Sequence, residues 1–460
     1  MSDAGLRARL ARLSRSADSR AALGLLAASL LSRVLGYVRE LLMAAYFATS
    51  AATDAWLMAS IVPNLLIQAL SNALDNVLIP MLVRIKEADG EHAVARFAAD
   101  LFGWLTVMGA AASALLELFM PVIIRLLAPG FHGHEYRLSI QLARIMVPLF
   151  LFWLWRAVAL GMLQAAGSYV ATGWTQVVQN VGRIALIVIL APTLGIRAAA
   201  LGFAAGTAAQ LLVIVPELKR AGLLHRPTLG PFNAAVGLFF RRAWTAIVSS
   251  VANTGGIVVD RILASTLPTG NIAGLNFAIV LVQVPVSLVL QAAVTPLFTR
   301  LSTYQARGEH ARWARLVRQL LIGAAVLMAA IAVGISLFSH PLISLAYSRG
   351  AFGQRSVMLT ARLVPFFALG LPGTALNLIG RKAAYSRGDV VRPARWAIAS
   401  VALTIIADLL LIGPLGARGL ALGTSLGVTF AAAGVSWPLW TGRNPYPLVS
   451  QEAPEEPFPE

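Results

Sequence analysis

Between Ser32 and Pro80 the chain reads SRVLGYVRELLMAAYFATSAATDAWLMASIVPNLLIQALSNALDNVLIP, two apolar runs joined by the short polar turn AATDA. Each run is long enough to cross a bilayer, which takes about 20 apolar residues in a helix. In hydrocarbon every backbone N–H and C=O must be satisfied within the segment, so a chain made of such runs folds as a helical bundle. Charges nevertheless interrupt both runs: Arg33, Arg39, Glu40, Asp54 and Asp75. An ionised side chain at the bilayer centre costs roughly 2.5–3.5 kcal/mol on insertion scales, so these residues are expected to face a bundle interior or a wet cavity. Arg33 and Glu40 stand two helical turns apart and share a face. The alternative is a charge pair that only fixes helix packing.

Similar runs recur over the 460 residues, and only 12% of the chain is charged. Soluble domains carry about 25% charged residues. The mean hydropathy of +0.74 agrees with the same class, an all-α polytopic membrane protein. About 12 transmembrane helices are expected, near 22–46, 52–83, 97–128, 138–165, 169–193, 197–216, 235–266, 271–299, 316–346, 357–380, 394–413 and 416–440. The N-terminus and every second loop hold 23 Lys and Arg between them, and the other loops hold five. By the positive-inside rule both termini are cytoplasmic. The net charge of +17 is then loop charge, and no nucleic acid is expected as a partner. The basic run from Arg300 to Arg318, interleaved with Tyr304 and Trp313, is expected against anionic lipid headgroups.

Residues 1–21 read as a basic cytoplasmic leader, without the small-residue cleavage site of a signal peptide. Residues 443–460, rich in Pro and Glu, read as a disordered cytoplasmic tail. With no cysteine there is no disulfide or thiol chemistry. No phosphate-binding loop, nucleophile elbow or zinc-protease motif stands at a credible position, so no enzyme is expected. His132, His134 and Glu135 could ligate a metal, but lacking further partners they read as a solvated loop.

The two halves repeat. IPMLVRIKEADGEHAVARF (79–97) matches TPLFTRLSTYQARGEHARWARL (295–316), MVP at 146–148 matches LVP at 363–365, and LGIRAAALG (194–202) matches LGARGLALG (415–423). Each unit holds an even number of spans, so both keep one orientation, related by an axis along the membrane normal. The expected domains are two pseudo-symmetric six-helix lobes, 22–220 and 221–442, facing across a central cavity.

SRVLGYVRE at 32–40, ATDAW at 52–56, IVPNLL at 61–66 and VVDRILASTLPTG at 258–270, with Pro296, Arg300 and LGARGLALG, resemble the MurJ/MviN family of lipid II flippases. That family lies within the superfamily of multidrug, oligosaccharidyl-lipid and polysaccharide exporters, and the resemblance runs from about residue 20 to 440. It implies a V-shaped pair of lobes in the bacterial inner membrane, carrying an undecaprenyl-pyrophosphate-linked glycan from the inner to the outer leaflet, as a monomer. By motif match it implies that Arg39, Glu40 and Asp54 engage the headgroup. Arg33, Arg156 and Arg183 are further candidates, since a pyrophosphate calls for guanidinium forks. Three departures stand out. Ile67 and Gln68 occupy the place of a frequent arginine pair, and Ile279 and Val280 precede Pro285 where an Asp-Arg pair is common. Twelve spans replace the usual fourteen. Other readings are a flippase for another lipid-linked polysaccharide unit, a cation-coupled exporter of small amphipathic compounds, and a non-transporting membrane scaffold.

A second constellation lies near the C-terminus. Thr404 and Asp408 share one helix face, Leu420 and Thr424 share another, and Asp260 stands on the seventh span. Two carboxylates, hydroxyls and a backbone carbonyl make an all-oxygen shell suited to Na⁺. The resemblance implies the same site at Asp260, Asp408 and Thr424, with Thr404 in place of an Asn. The alternatives are an Asp260–Arg261 pair with Asp408 as an interhelical hydrogen-bonder, or protonation of one Asp during the cycle. No other cofactor is expected.

Overall fold

The computed structural model describes residues 3–440 apart from 169, 225–227, 231 and 233, with side chains from Gly24 onward and short internal gaps. The tail at 443–460, the leader's side chains and that of Asp75 lie outside the described residues. All regular structure among the described residues is helical, in twelve stretches separated by turns. The first helix runs unbroken from Asp3 to Phe47, so the basic leader and the first span share one helix. Among the described residues eight helices are long and apolar enough to cross a membrane alone, and the bent pair 354–368 and 371–385, taken as one span, makes a ninth. Others are interrupted. The second stretch starts as Ala51–Ala59 and Ile61–Ala73 and passes through a π-helical turn, Leu74–Leu78, into Ile79–Leu127. That helix breaks at Gly90. The eighth repeats the device, with Asn271–Pro285, a π turn at Val286–Leu290 and Gln291–Ala306.

Leucines such as Leu118, Leu212, Leu337 and Leu345 lie exposed, as a lipid solvent allows. The chain divides into two compact units, Met1–Thr254 with Arg349–Ala351, and Gly255–Ser348 with Phe352–Glu460. In the first, a core of Leu78, Leu82, Leu101, Val158 and Leu163 is fully enclosed. In the second, Trp313, Val317 and Leu321 pack with Leu301 and Ala383.

One connection is held down firmly. The strand of chain after residue 227 crosses Ile79–Leu127, where Thr228 donates from Oγ1 to Asp100 Oδ1 (2.6 Å) and from N to Ala99 O (3.1 Å). Trp104 Nε1 donates to Gly230 O (3.1 Å), and its ring meets Phe232 edge-on. Gly103 permits this crossing, since a Cβ there would collide with the Thr228 carbonyl.

Candidate functional site

The sixth and twelfth stretches each begin with the same turn. Gly195 (φ 57°) and Gly416 (φ 58°) adopt left-handed backbone that a side chain would strain, and each reverses the chain into a helix laid against its predecessor. In the first unit Arg197–Ala209 packs on Val170–Leu194, and in the second Ala417–Trp440 packs on Val391–Leu415. Paired glycines let the helices approach. A Cβ at Gly202 would stand 3.1 Å from Arg183 O, and one at Gly206 2.6 Å from Gln179 O. In the second unit a Cβ at Gly423 would strike Asp408 Oδ1, and one at Gly427 would strike Thr404 Oγ1.

The first unit places a charged cluster on this frame. Arg39 donates from Nη2 to Glu40 Oε1 (2.7 Å) and from Nη1 to Asn180 Oδ1 (3.2 Å). Asn180 is itself fixed, its Nδ2 donating to Ser32 O, Ser32 Oγ and Gln176 O at 3.1–3.2 Å. One helical turn along, Arg183 lies within electrostatic reach of both Arg39 and Glu40. Its guanidinium covers the Phe203 ring, Cζ at 3.6 Å from the centroid, and its buried Nε–H has no acceptor among the described residues. Phe203 in turn meets Trp56 edge-on. The cluster thus presents two arginines against one carboxylate, a net cation whose forks are partly committed to protein acceptors and partly open.

Three of the six expected headgroup residues, Arg39, Glu40 and Arg183, come together here. Asp54 is buried in the first turn of Ala51–Ala59, where the helix N-terminus favours a carboxylate. Arg33 lies exposed on the first helix, and Arg156 half-buried on Leu149–Ala165. Glu40 takes as ion partner its neighbour Arg39. Asn180 and Phe203 lie outside the sequence-expected set, and Trp56 enters it only as the end of ATDAW. An Asn and two Gln within the apolar TQVVQNVGRIAL are the signal that points to the first of them.

The second unit holds carboxylates on the matching frame. Asp408 is fully buried against the last helix at Gly423, and its side chain interacts with that of Asp260. Neither Asp408 oxygen nor Asp260 Oδ1 has a hydrogen-bond donor among the described residues. Arg261 directs its guanidinium to Ile272 O (3.4 Å) and Asn276 Oδ1 (3.1 Å). Leu420 is buried, and its carbonyl accepts from Thr424 Oγ1 (3.0 Å) in the turn that contains Gly423. Thr404 packs one turn away, on Gly427. The fully buried Asp408 and the half-buried Asp260 leave three oxygens without a donor among the described residues, which a proton or a cation between them would offset. An oxygen-only set of two carboxylates, a hydroxyl and a carbonyl suits a hard monovalent ion. In the loop before Gly133–Met146, His132 Nδ1 bonds Gly130 O, and no cluster of three metal-binding side chains occurs among the described residues.

The chain matches the family described as "Lipid II flippase MurJ" over residues 43–440. It is 28% identical over 416 residues to the lipid II flippase MurJ of Burkholderia cenocepacia, covering 87% of this chain and 79% of that one. A probable lipid II flippase MurJ of Rhizobium tropici is 26% identical over 408 residues, 87% of this chain and 76% of its own. Among solved structures, a lipid II flippase MurJ in an inward closed conformation superposes with a TM-score of 0.79 at 20% identity, covering 90% of this chain and 87% of that one. An inward-facing MATE family multidrug transporter gives 0.75 at 15% identity, covering 91% and 98%.

Proposed function

The chain belongs to the lipid II flippase MurJ family, and on that premise we propose that it moves lipid II from the inner to the outer leaflet of the bacterial inner membrane by alternating access. The observation that carries the reading is the Arg39–Glu40–Asn180–Arg183 cluster, a half-buried cationic site inside an apolar bundle. Pyrophosphate oxygens displace Glu40 and Asn180 from the Arg39 fork, exchanging one charge-assisted hydrogen bond for another. Arg183 adds a second guanidinium one turn away. Both termini face the cytoplasm, so the cluster receives its substrate from the leaflet where the basic loops lie. The test is complementation of a flippase-depleted strain, paired with a leaflet-resolved assay of lipid II. Loss of viability with a properly inserted wild-type protein would reject lipid II and favour another polyprenyl-linked glycan.

Na⁺ fits the second unit's carboxylates, with Asp260, Asp408, Thr424 and the Leu420 carbonyl as its holders, and Thr404 beside them. Bound there it supplies positive charge between two acids. Asp408 packs on the twelfth helix at Gly423 and interacts with Asp260 of the seventh, so the protonation or ion state of this pair biases how the helices around Asp408 pack.

A further inference from the structure

One end of the second unit carries a cavity of about 610 Å³ whose wall holds three arginines, Arg355, Arg362 and Arg418. Arg355 lies in the first turn of Gln354–Ala361, Arg362 follows that helix's last residue, and Arg418 follows Gly416 in the first turn of Ala417–Trp440. No acidic side chain lines the cavity, and Met358, Leu359 and Leu363 supply an apolar wall. None of the three guanidiniums has an ion pair or a hydrogen bond among the described residues.

The internal repeat supplies a comparison. With ARIMVP (143–148) set on ARLVP (361–365), one residue shorter between Arg and Val, Arg137 and Arg144 fall on Arg355 and Arg362, and LGIR on LGAR sets Arg197 on Arg418. There Arg144 pairs with Glu117 (Nε to Oε1, 3.2 Å), and Arg197 Nη2 donates to Gln141 Oε1 (3.0 Å). In the second unit the position of Gln141 is Leu359, and the stretch that answers to Glu117 reads ISLF at 335–338. The cations are kept while their protein acceptors are replaced by apolar side chains. This end of the unit is also poor in basic residues, which sets the trio apart from ordinary loop charge.

We propose that this cavity binds the phosphate of an anionic lipid, with the guanidinium forks on the phosphate oxygens and Met358, Leu359 and Leu363 against the first carbons of the chain. Three cations around one apolar wall match an anionic head on a hydrocarbon stem, and suit a zwitterionic head less well. That the face is the outer one rests on the orientation proposed above. The charge of the cavity does not, and the test reads binding alone, so its failure is separate from failure of the flippase reading.

The purified full chain in neutral detergent is titrated with phosphatidylglycerol, phosphatidylcholine or inorganic pyrophosphate, and bound lipid is counted by native mass spectrometry alongside thermal unfolding. The proteins are wild type, Arg355→Gln/Arg362→Gln/Arg418→Gln, the matched Arg137→Gln/Arg144→Gln/Arg197→Gln, and the single Arg418→Gln. The expected result is a loss of phosphatidylglycerol affinity of about tenfold in the first triple variant and about threefold in the single one, with the matched triple close to wild type. The affinity should also fall as salt rises. Equal retention by wild type and the first triple variant overturns the site. Full stabilisation by pyrophosphate with no further gain from phosphatidylglycerol overturns the lipid as its ligand.

Discussion

The fifth and sixth helical stretches of the first unit and the eleventh and twelfth of the second use one backbone frame for opposite charges. Both turn on a positive-φ glycine, Gly195 or Gly416, and both close the helix pair with glycines two turns further on. Against those glycines the first unit sets Arg183 and the second sets Thr404 and Asp408. In the repeat, Arg183 corresponds to Thr404, and Asp408 to Ile187. The frame therefore fixes where a side chain sits and leaves its chemistry to single positions. The first unit brings both signs of charge together, so it holds its cluster in shape without a ligand. The second brings like charges together and leaves three carboxyl oxygens without donors.

The largest expected effect falls on the mixed-charge side. Arg39→Ala should lower lipid II transport by roughly tenfold or more, since truncating one partner of a half-buried charge pair costs somewhat less than the about 2–5 kcal/mol of a fully buried one. Arg39→Lys should recover part of it, because a point charge does not reproduce the fork. A leaflet assay in which Arg39→Ala is as fast as wild type would break the comparison at its first term. Next comes Asp408→Asn, which keeps the volume and gives Asp260 an N–H donor. The Na⁺-free protein should gain about 1 kcal/mol of stability, and Na⁺ should no longer raise its Tm above a K⁺ control. An equal Na⁺ shift in both proteins would show that Asp408 is no ligand.

A third test addresses the frame itself. Gly423→Ala drives a methyl into Asp408 and should cost about 1–3 kcal/mol together with the Na⁺ response. Gly202→Ala, facing a backbone oxygen at 3.1 Å, should cost less and leave any Na⁺ response intact. Equal losses in thermal unfolding would mean that helix contact, and not the carboxyl, dominates both sites. The smallest effect is Phe203→Leu, which removes the ring beneath Arg183. It should weaken the first unit by about 0.5–2 kcal/mol and lower transport modestly, with no change in Na⁺-induced stabilisation.

Much of the fold is legible in the sequence because each determinant is local. Apolar runs set the helices, and the LGIR and LGAR turns mark the same backbone reversal in each half. The break at Gly90 falls inside the KEADGEH stretch that repeats as RGEH. The sites are less legible because they depend on how each helix is rotated about its axis. Arg39 and Glu40 are adjacent in sequence, yet what holds Arg39 in place is Asn180, 141 residues away. The pairing of Arg33 with Glu40 on a shared face is correct in helical geometry and silent about partners, and Glu40 turns instead to Arg39. Asp260 and Asp408 are legible as oxygen donors from residue type alone. That Arg261 directs its guanidinium to Ile272 O and Asn276 Oδ1 follows only from packing.

The π turns at Leu74–Leu78 and Val286–Leu290 lie in the second helical stretch of each unit, one helical turn apart in the repeat. A π turn carries one residue more than the α-helical ladder around it. Should that surplus slip past the ladder, everything downstream advances by about 1.5 Å and rotates by about 100°, the step of one α-helical residue. Loss of that surplus would turn the far half of the helix by the step of one residue without unwinding it.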